Sequence, residues 1–121
     1  MSNPSGSRPY DRRRQFERVP IRMSAEVHLD DAVYTATTRD LSEGGVGIEL
    51  RELLPEGREI TLGLFLVVDD VEDERVPALW VKGRVTWTAE MPNARHVAGI
   101  RFEVITDEQK AWVRQVTGHL G

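Results

Sequence analysis

From Met23 to Leu29 every second residue is apolar: Met23, Ala25, Val27 and Leu29 alternate with polar neighbours. A period of two is the mark of a strand with one buried face. Asp30-Asp31 then forms a tight turn, and Val33 to Arg39 has the β-branched content of a second strand. The segment Asp40-Leu41-Ser42-Glu43-Gly44-Gly45 breaks the pattern, and Val46, Ile48 and Leu50 resume it. After a turn at Leu53-Leu54-Pro55-Glu56-Gly57, a fourth run places Ile60, Leu62, Leu64 and Leu66 on one face. The acidic segment Asp69 to Glu74 would repel itself in a paired strand and reads as a solvated loop. Leu79, Val81, Val85 and Trp87 share one face of a long fifth strand, with Trp80 on the other. Gly83, in the middle of the inward set, predicts a bend or bulge there. Met91 to Arg95 is a hairpin loop, and Ala98, Ile100, Phe102 and Val104 make the sixth strand.

The chain closes differently. Thr106-Asp107-Glu108-Gln109 has the spacing of a capping box, and Trp112, Val113, Val116 and Leu120 recur at helical spacing. A helix over about 106–119 therefore packs on the strands. Six short strands with regular turn signals fit a sandwich or a barrel, and the pattern alone leaves both open.

Composition narrows the function more than the fold. The chain has 121 residues, 40% apolar and 30% charged, enough for one core and one domain. It has no cysteine, so disulfides, thiolate metal sites and a cysteine nucleophile are excluded. That usage fits a reducing cytoplasm. The longest apolar stretch, Leu62 to Val68, falls far short of the ~20 residues of a membrane span. The net charge of −4 hides a split. Residues 1–22 carry six arginines against two carboxylates, a net of +4, and the rest carries −8. Residues 1–10, rich in Pro, Ser, Gly and Asn, read as a disordered tail, and 11–19 as an arginine-rich arm. A basic arm on an acidic body attracts a small anion and repels a long nucleic acid.

Two motifs carry candidate chemistry. Arg14-Gln15-Phe16-Glu17-Arg18 sets two arginines four apart behind Arg12 and Arg13. Asp40-x-Ser42-x-x-Gly45, with Gly44 and Gly47 beside it, lies in a turn between two strands. The arginine fork pairs with phosphate oxygens or with O6 and N7 of guanine, and it stacks on purines. Asp40 can accept from the N1–H and N2–H₂ edge of guanine, Ser42 can donate to a phosphate or base, and the glycines permit close approach or positive φ. Taken alone, an arginine run is as often a solvated tail, and Asp-x-Ser-x-x-Gly is more often a self-capped turn.

The two motifs in this order, separated by one hairpin, resemble the signature of the PilZ domain family. Arg18-Val19-Pro20 leading into a strand, Gly45-Val46-Gly47-Ile48, and Gly83-Arg84-Val85-Thr86-Trp87 followed by Gly99-Ile100-Arg101-Phe102 extend the likeness. It covers roughly residues 11–118. The resemblance implies an all-β fold with one helix: a six-stranded antiparallel β-barrel with a C-terminal α-helix and a flexible N-terminal arm. It also implies binding of cyclic di-GMP on the outer surface. Arg14 and Arg18 would then hold phosphates and guanine Hoogsteen edges. Asp40, Ser42, Gly44 and Gly45 would receive a guanine and part of the phosphate ring. Arg13 would favour a stacked pair of ligands. Trp87 sits where some members place an aromatic near a base, although the strand pattern reads it as core or rim more readily than as a ligand platform.

The expected role is a cytoplasmic receptor that signals through a partner protein in motility, pili or exopolysaccharide control. The competing reading is a protein–protein adaptor that does not depend on cyclic di-GMP. An enzyme is not expected, because no histidine or lysine lies near Ser42 in sequence to activate it. His28, His96 and His119 have no metal spacing, and the acidic segment lacks the glycine and ligand pattern of a calcium loop. Neither a nucleic-acid polymer nor direct membrane insertion is expected.

Overall fold

The computed structural model describes residues 19–20, 22–68, 71–72 and 77–120. Its strands are β1 (Val19–Pro20), β2 (Ser24–Leu29), β3 (Ala32–Leu41), β4 (Gly45–Leu50), β5 (Glu59–Phe65), β6 (Val67–Val68), β7 (Val71–Glu72), β8 (Leu79–Met91) and β9 (Arg95–Phe102). One helix follows, α1 (Asp107–Leu120). Antiparallel pairing runs β3-β2-β5-β8-β9-β4, and a β3–β4 ladder closes the ring into a six-stranded barrel. Closure removes every sheet edge from the main barrel. That settles the choice between barrel and sandwich.

The inward positions are those the period of two marked. Met23, Ala25, Val27 and Leu29 are buried, as are Val46, Ile48 and Leu50, and Ile60, Leu62 and Leu64. Helix α1 adds Val113 and Val116 to this core, with Trp112 packed at its edge. The capping box forms in full. The Thr106 N–H donates to Gln109 Oε1 at 2.7 Å, and the Gln109 N–H donates to Thr106 Oγ1 at 3.1 Å. The Trp112 indole N–H donates to Pro77 O at 2.7 Å and ties the helix to the start of β8.

Several expectations are corrected. The second strand does not end at Arg39 but continues through Asp40 and Leu41. Its bulge lies between Thr38 and Asp40, where the register against β4 shifts. Gly83 is not the bulge of β8; a Cβ there would meet Ile100 Cγ2 at 2.5 Å, so the glycine makes room for a core side chain. The register shift comes between Val85 and Trp87. It turns Trp87 out of the inward face and leaves it 47% exposed. A single extra residue reverses the facing of everything beyond it, which no period-two count can foresee. Val104 is not in the sixth strand; it has φ +48° and is 95% exposed. Part of the acidic segment is not loop, since Val71–Glu72 pairs with Val67–Val68.

Candidate functional site

Strand β1 pairs with β3, Val19 opposite Leu41 and Pro20 opposite Asp40. It lies along the same edge of β3 that β2 occupies further on, from Ser24 opposite Thr37. The chain thus reaches the barrel beside Asp40. Arg13, Arg14 and Arg18 lie outside the described residues.

The turn after Asp40 is built by Ser42. Its main-chain N–H donates to Gly45 O at 2.9 Å. Its hydroxyl accepts from the N–H groups of Gly44 and Gly45, each at 3.2 Å, and donates to Gly45 O at 3.3 Å. Ser42 is 3% exposed, so its first function is to hold the hairpin shut. Among the described glycines only Gly57 takes a positive φ, so Gly44 and Gly45 are not there for the left-handed region. Gly45 is there for space: a Cβ would strike Ile100 O across the β4–β9 ladder and stand 3.3 Å from Arg101 Cα. The Phe102 N–H donating to Gly44 O at 2.9 Å fastens the turn to β9.

Asp40 lies on the outer face. Its Oδ1 accepts the Gly47 N–H at 3.0 Å, and a Cβ on Gly47 would stand 3.0 Å from that oxygen. Gly47 pairs with Gly99 on β9, and Gly99 pairs with Trp87 on β8. The Trp87 indole lies across Gly99, with Cε2 and Cδ1 at 2.5 and 2.6 Å from where a Cβ would be. Four adjacent strands therefore carry one outward row: Asp40, Gly47, Gly99, Trp87. The Asp40 carboxylate lies over Gly47 and the Trp87 indole over Gly99, so the two buried glycines are the floor of a shallow trough in which these side chains rest, their Cα atoms three strand spacings apart, ~14 Å. This arrangement offers a carboxylate acceptor and a π face for stacking on one outer face, both held low over the sheet because glycine lies beneath them. Three residues the sequence assigned to a site, Asp40, Gly45 and Trp87, are thereby brought to one face. Sequence reasoning did not connect Gly47 and Gly99 into a floor, because the pairing of β4 with β9 is a long-range contact.

Other charged groups of the described residues pair with one another. Glu43, in the turn, accepts from Arg114 Nε of α1 at 3.0 Å, joining the turn to the helix. Arg84 donates to both oxygens of Glu103, at 2.8 and 3.4 Å, and to Gly57 O at 2.7 Å. The Arg84 hydrogen bond holds the Glu103 carboxyl below the usual glutamate range, with partial burial working against it. The same hydrogen bond raises Arg84 above its ordinary value. Among the described residues no cluster of His, Asp and Glu is placed to hold a metal ion, and no helix is long and apolar enough to cross a membrane.

Comparison with known proteins points one way. The family model described as PilZ domain matches residues 12–118. The PilZ domain of YcgR from Escherichia coli, solved with c-di-GMP, superposes with a TM-score of 0.72 at 16% identity, over 89% of this chain and 91% of that one. The Bacillus subtilis inhibitor of motility, MotI/DgrA, gives a TM-score of 0.72 at 14% identity over 89% of this chain. The chain spans 50% of the length of that protein, and 46% of a longer E. coli YcgR chain solved in complex with c-di-GMP. At these identities the likeness establishes the fold. No curated protein sequence matches the chain.

Proposed function

Since the chain belongs to the PilZ domain family, we propose that it is a receptor for cyclic di-GMP that binds the dinucleotide over the Asp40–Gly47–Gly99–Trp87 row. The observation that carries this reading is the row itself: the Asp-x-Ser-x-x-Gly motif shares one outer face with an exposed tryptophan across two glycines. Asp40 accepts from the N1–H and N2–H₂ edge of one guanine, the edge that adenine lacks. Trp87 offers its indole face to a base. Ser42 and Gly45 keep the turn in the shape against which the phosphate ring rests, and the Gly44 main chain lies at its rim.

The arm supplies the cations. Arg18 is bonded to Val19, which pairs with Leu41. Extended chain spans at most ~3.6 Å per residue, so Arg14 is tethered within ~18 Å of Val19. Both guanidinium groups, with Arg13, are thus within reach of a ligand on the trough and neutralise its two phosphates. Ligand binding draws the arm onto the barrel, and a partner protein reads the changed surface. No chemical step is assigned: Ser42 Oγ is hydrogen-bonded to main-chain groups of its own turn, and among the described residues no base stands against it. The fold neighbours with known ligand or motility roles support a place in motility control, with pili or exopolysaccharide as related outputs, in the cytoplasm where the second messenger is made.

Isothermal titration calorimetry with cyclic di-GMP tests this, wild type beside the Arg14→Ala/Arg18→Ala double variant, with GMP as control. Micromolar or tighter binding, lost in the double variant and absent with GMP, is expected. No binding by wild type leaves the fold standing and transfers the function to an adaptor that meets its partner without the nucleotide.

A further inference from the structure

Arg101 sits one outward step along β9 from Gly99, directly opposite Gly45 on β4. It therefore borders both the glycine floor and the Asp40–Gly45 motif. Its side chain is 61% exposed. Among the described residues its one ion-pair contact is loose, 3.8 Å from Nη2 to Glu103 Oε2. That carboxylate is already taken by Arg84 through two hydrogen bonds. Other arginines around the barrel are better satisfied: Arg95 holds Glu49 at 2.8 Å, Arg58 holds Asp30 at 2.8 Å, and Arg114 holds Glu43 at 3.0 Å. The residue facing Arg101 has no side chain, so nothing on β4 fills the space its guanidinium can sweep.

From this geometry we infer that Arg101 is a ligand-binding residue of the trough: its guanidinium donates paired N–H bonds to a phosphate of the bound dinucleotide from the β9 side. The inference rests on the receptor reading above and adds a cation that neither motif contains. It also gives the site a charged wall on the β9 side, across the row from β3 where β1 is paired. A guanidinium fork, planar and weakly hydrated, suits this better than an ammonium. Because Arg101 gives up only a 3.8 Å contact on turning to the ligand, little is lost in the free protein.

The test is calorimetry of cyclic di-GMP binding to the full chain as wild type, Arg101→Ala, Arg101→Lys and, as control, Arg58→Ala. Thermal melts accompany each variant to show that it is folded. The expected result is affinity weakened about tenfold in Arg101→Ala, the scale of one charge-assisted hydrogen bond to phosphate. Arg101→Lys recovers part of the loss, and Arg58→Ala binds like wild type. Weakening of less than threefold in a folded Arg101→Ala variant, with wild type binding normally, overturns the assignment and leaves the receptor reading intact. Failure of wild type to bind overturns both.

Discussion

Gly45 is the last residue of the Asp-x-Ser-x-x-Gly motif, and the structure gives it a packing duty separable from any ligand. In Gly45→Ala the new Cβ runs into Ile100 O, a main-chain atom of the neighbouring strand, and comes within 3.3 Å of Arg101 Cα. A flexible side chain could swing aside; a ladder carbonyl cannot. Either β4 lifts from β9 or the turn opens. The bonds at risk are Ser42 N–H to Gly45 O, Gly45 N–H to Ser42 Oγ, and Phe102 N–H to Gly44 O. At roughly 0.5–1.5 kcal/mol net each, their loss costs about 2–4 kcal/mol. That is a large share of the 5–15 kcal/mol typical of a domain. For a chain of this size, at roughly 4 °C per kcal/mol, it lowers Tm by about 8–16 °C. The assay is a circular dichroism melt of Gly45→Ala beside Gly118→Ala, an exposed helical glycine whose Cβ meets nothing within 4 Å. Gly118→Ala should instead gain about 0.5–1 kcal/mol from helix propensity. A Gly45→Ala melt within about 2 °C of wild type refutes the close-packing argument. The motif glycine would then have to be explained by the ligand alone.

The remaining predictions use other parts of the molecule. Gly47→Ala sets a Cβ 3.0 Å from Asp40 Oδ1, a side-chain atom that can shift; it should leave Tm nearly unchanged yet weaken cyclic di-GMP binding by displacing the carboxylate. Thr106→Ala removes half the capping box and should cost about 1 kcal/mol in urea unfolding, without affecting ligand binding. Val104, β-branched, exposed and at φ +48°, is strained where glycine would not be; Val104→Gly should raise stability by about 1 kcal/mol. Glu103, its carboxyl held low by Arg84, contributes stability that is present above the unfolded glutamate value of about 4.3 and lost as pH falls through its lower folded value. Glu103→Gln should therefore flatten that part of the acid limb in melts taken across pH.

Local chemistry is readable in the sequence. The alternation of Met23, Ala25, Val27 and Leu29 gave a correct inward face because a strand without a bulge keeps its period. The capping box at Thr106 and Gln109 was readable because its partners are three residues apart. The site was only half legible. Asp40 and Ser42 stand in one short motif, but the trough they border depends on Gly47 meeting Gly99 and Gly99 meeting Trp87, pairings set by barrel closure. Trp87 was misdirected for the same reason. Its outward face follows from the register shift after Val85, and nothing in the alternation of Leu79, Val81 and Val85 announces it. Arg101 carried no sequence signal at all, since an arginine in a strand becomes informative only when the residue opposite it is known to be Gly45.

The most direct test of the account is a two-dimensional NMR titration of the labelled protein with cyclic di-GMP, following the main-chain amides and the three tryptophan indole N–H signals. The account predicts saturable shifts in the Trp87 indole and in the amides of Gly44, Gly47 and Gly99, with the Trp80 indole, seven residues back along β8 and over Gly63 of β5, unmoved. Shifts centred on Trp80, or a Trp87 signal that stays still while binding saturates, would contradict it.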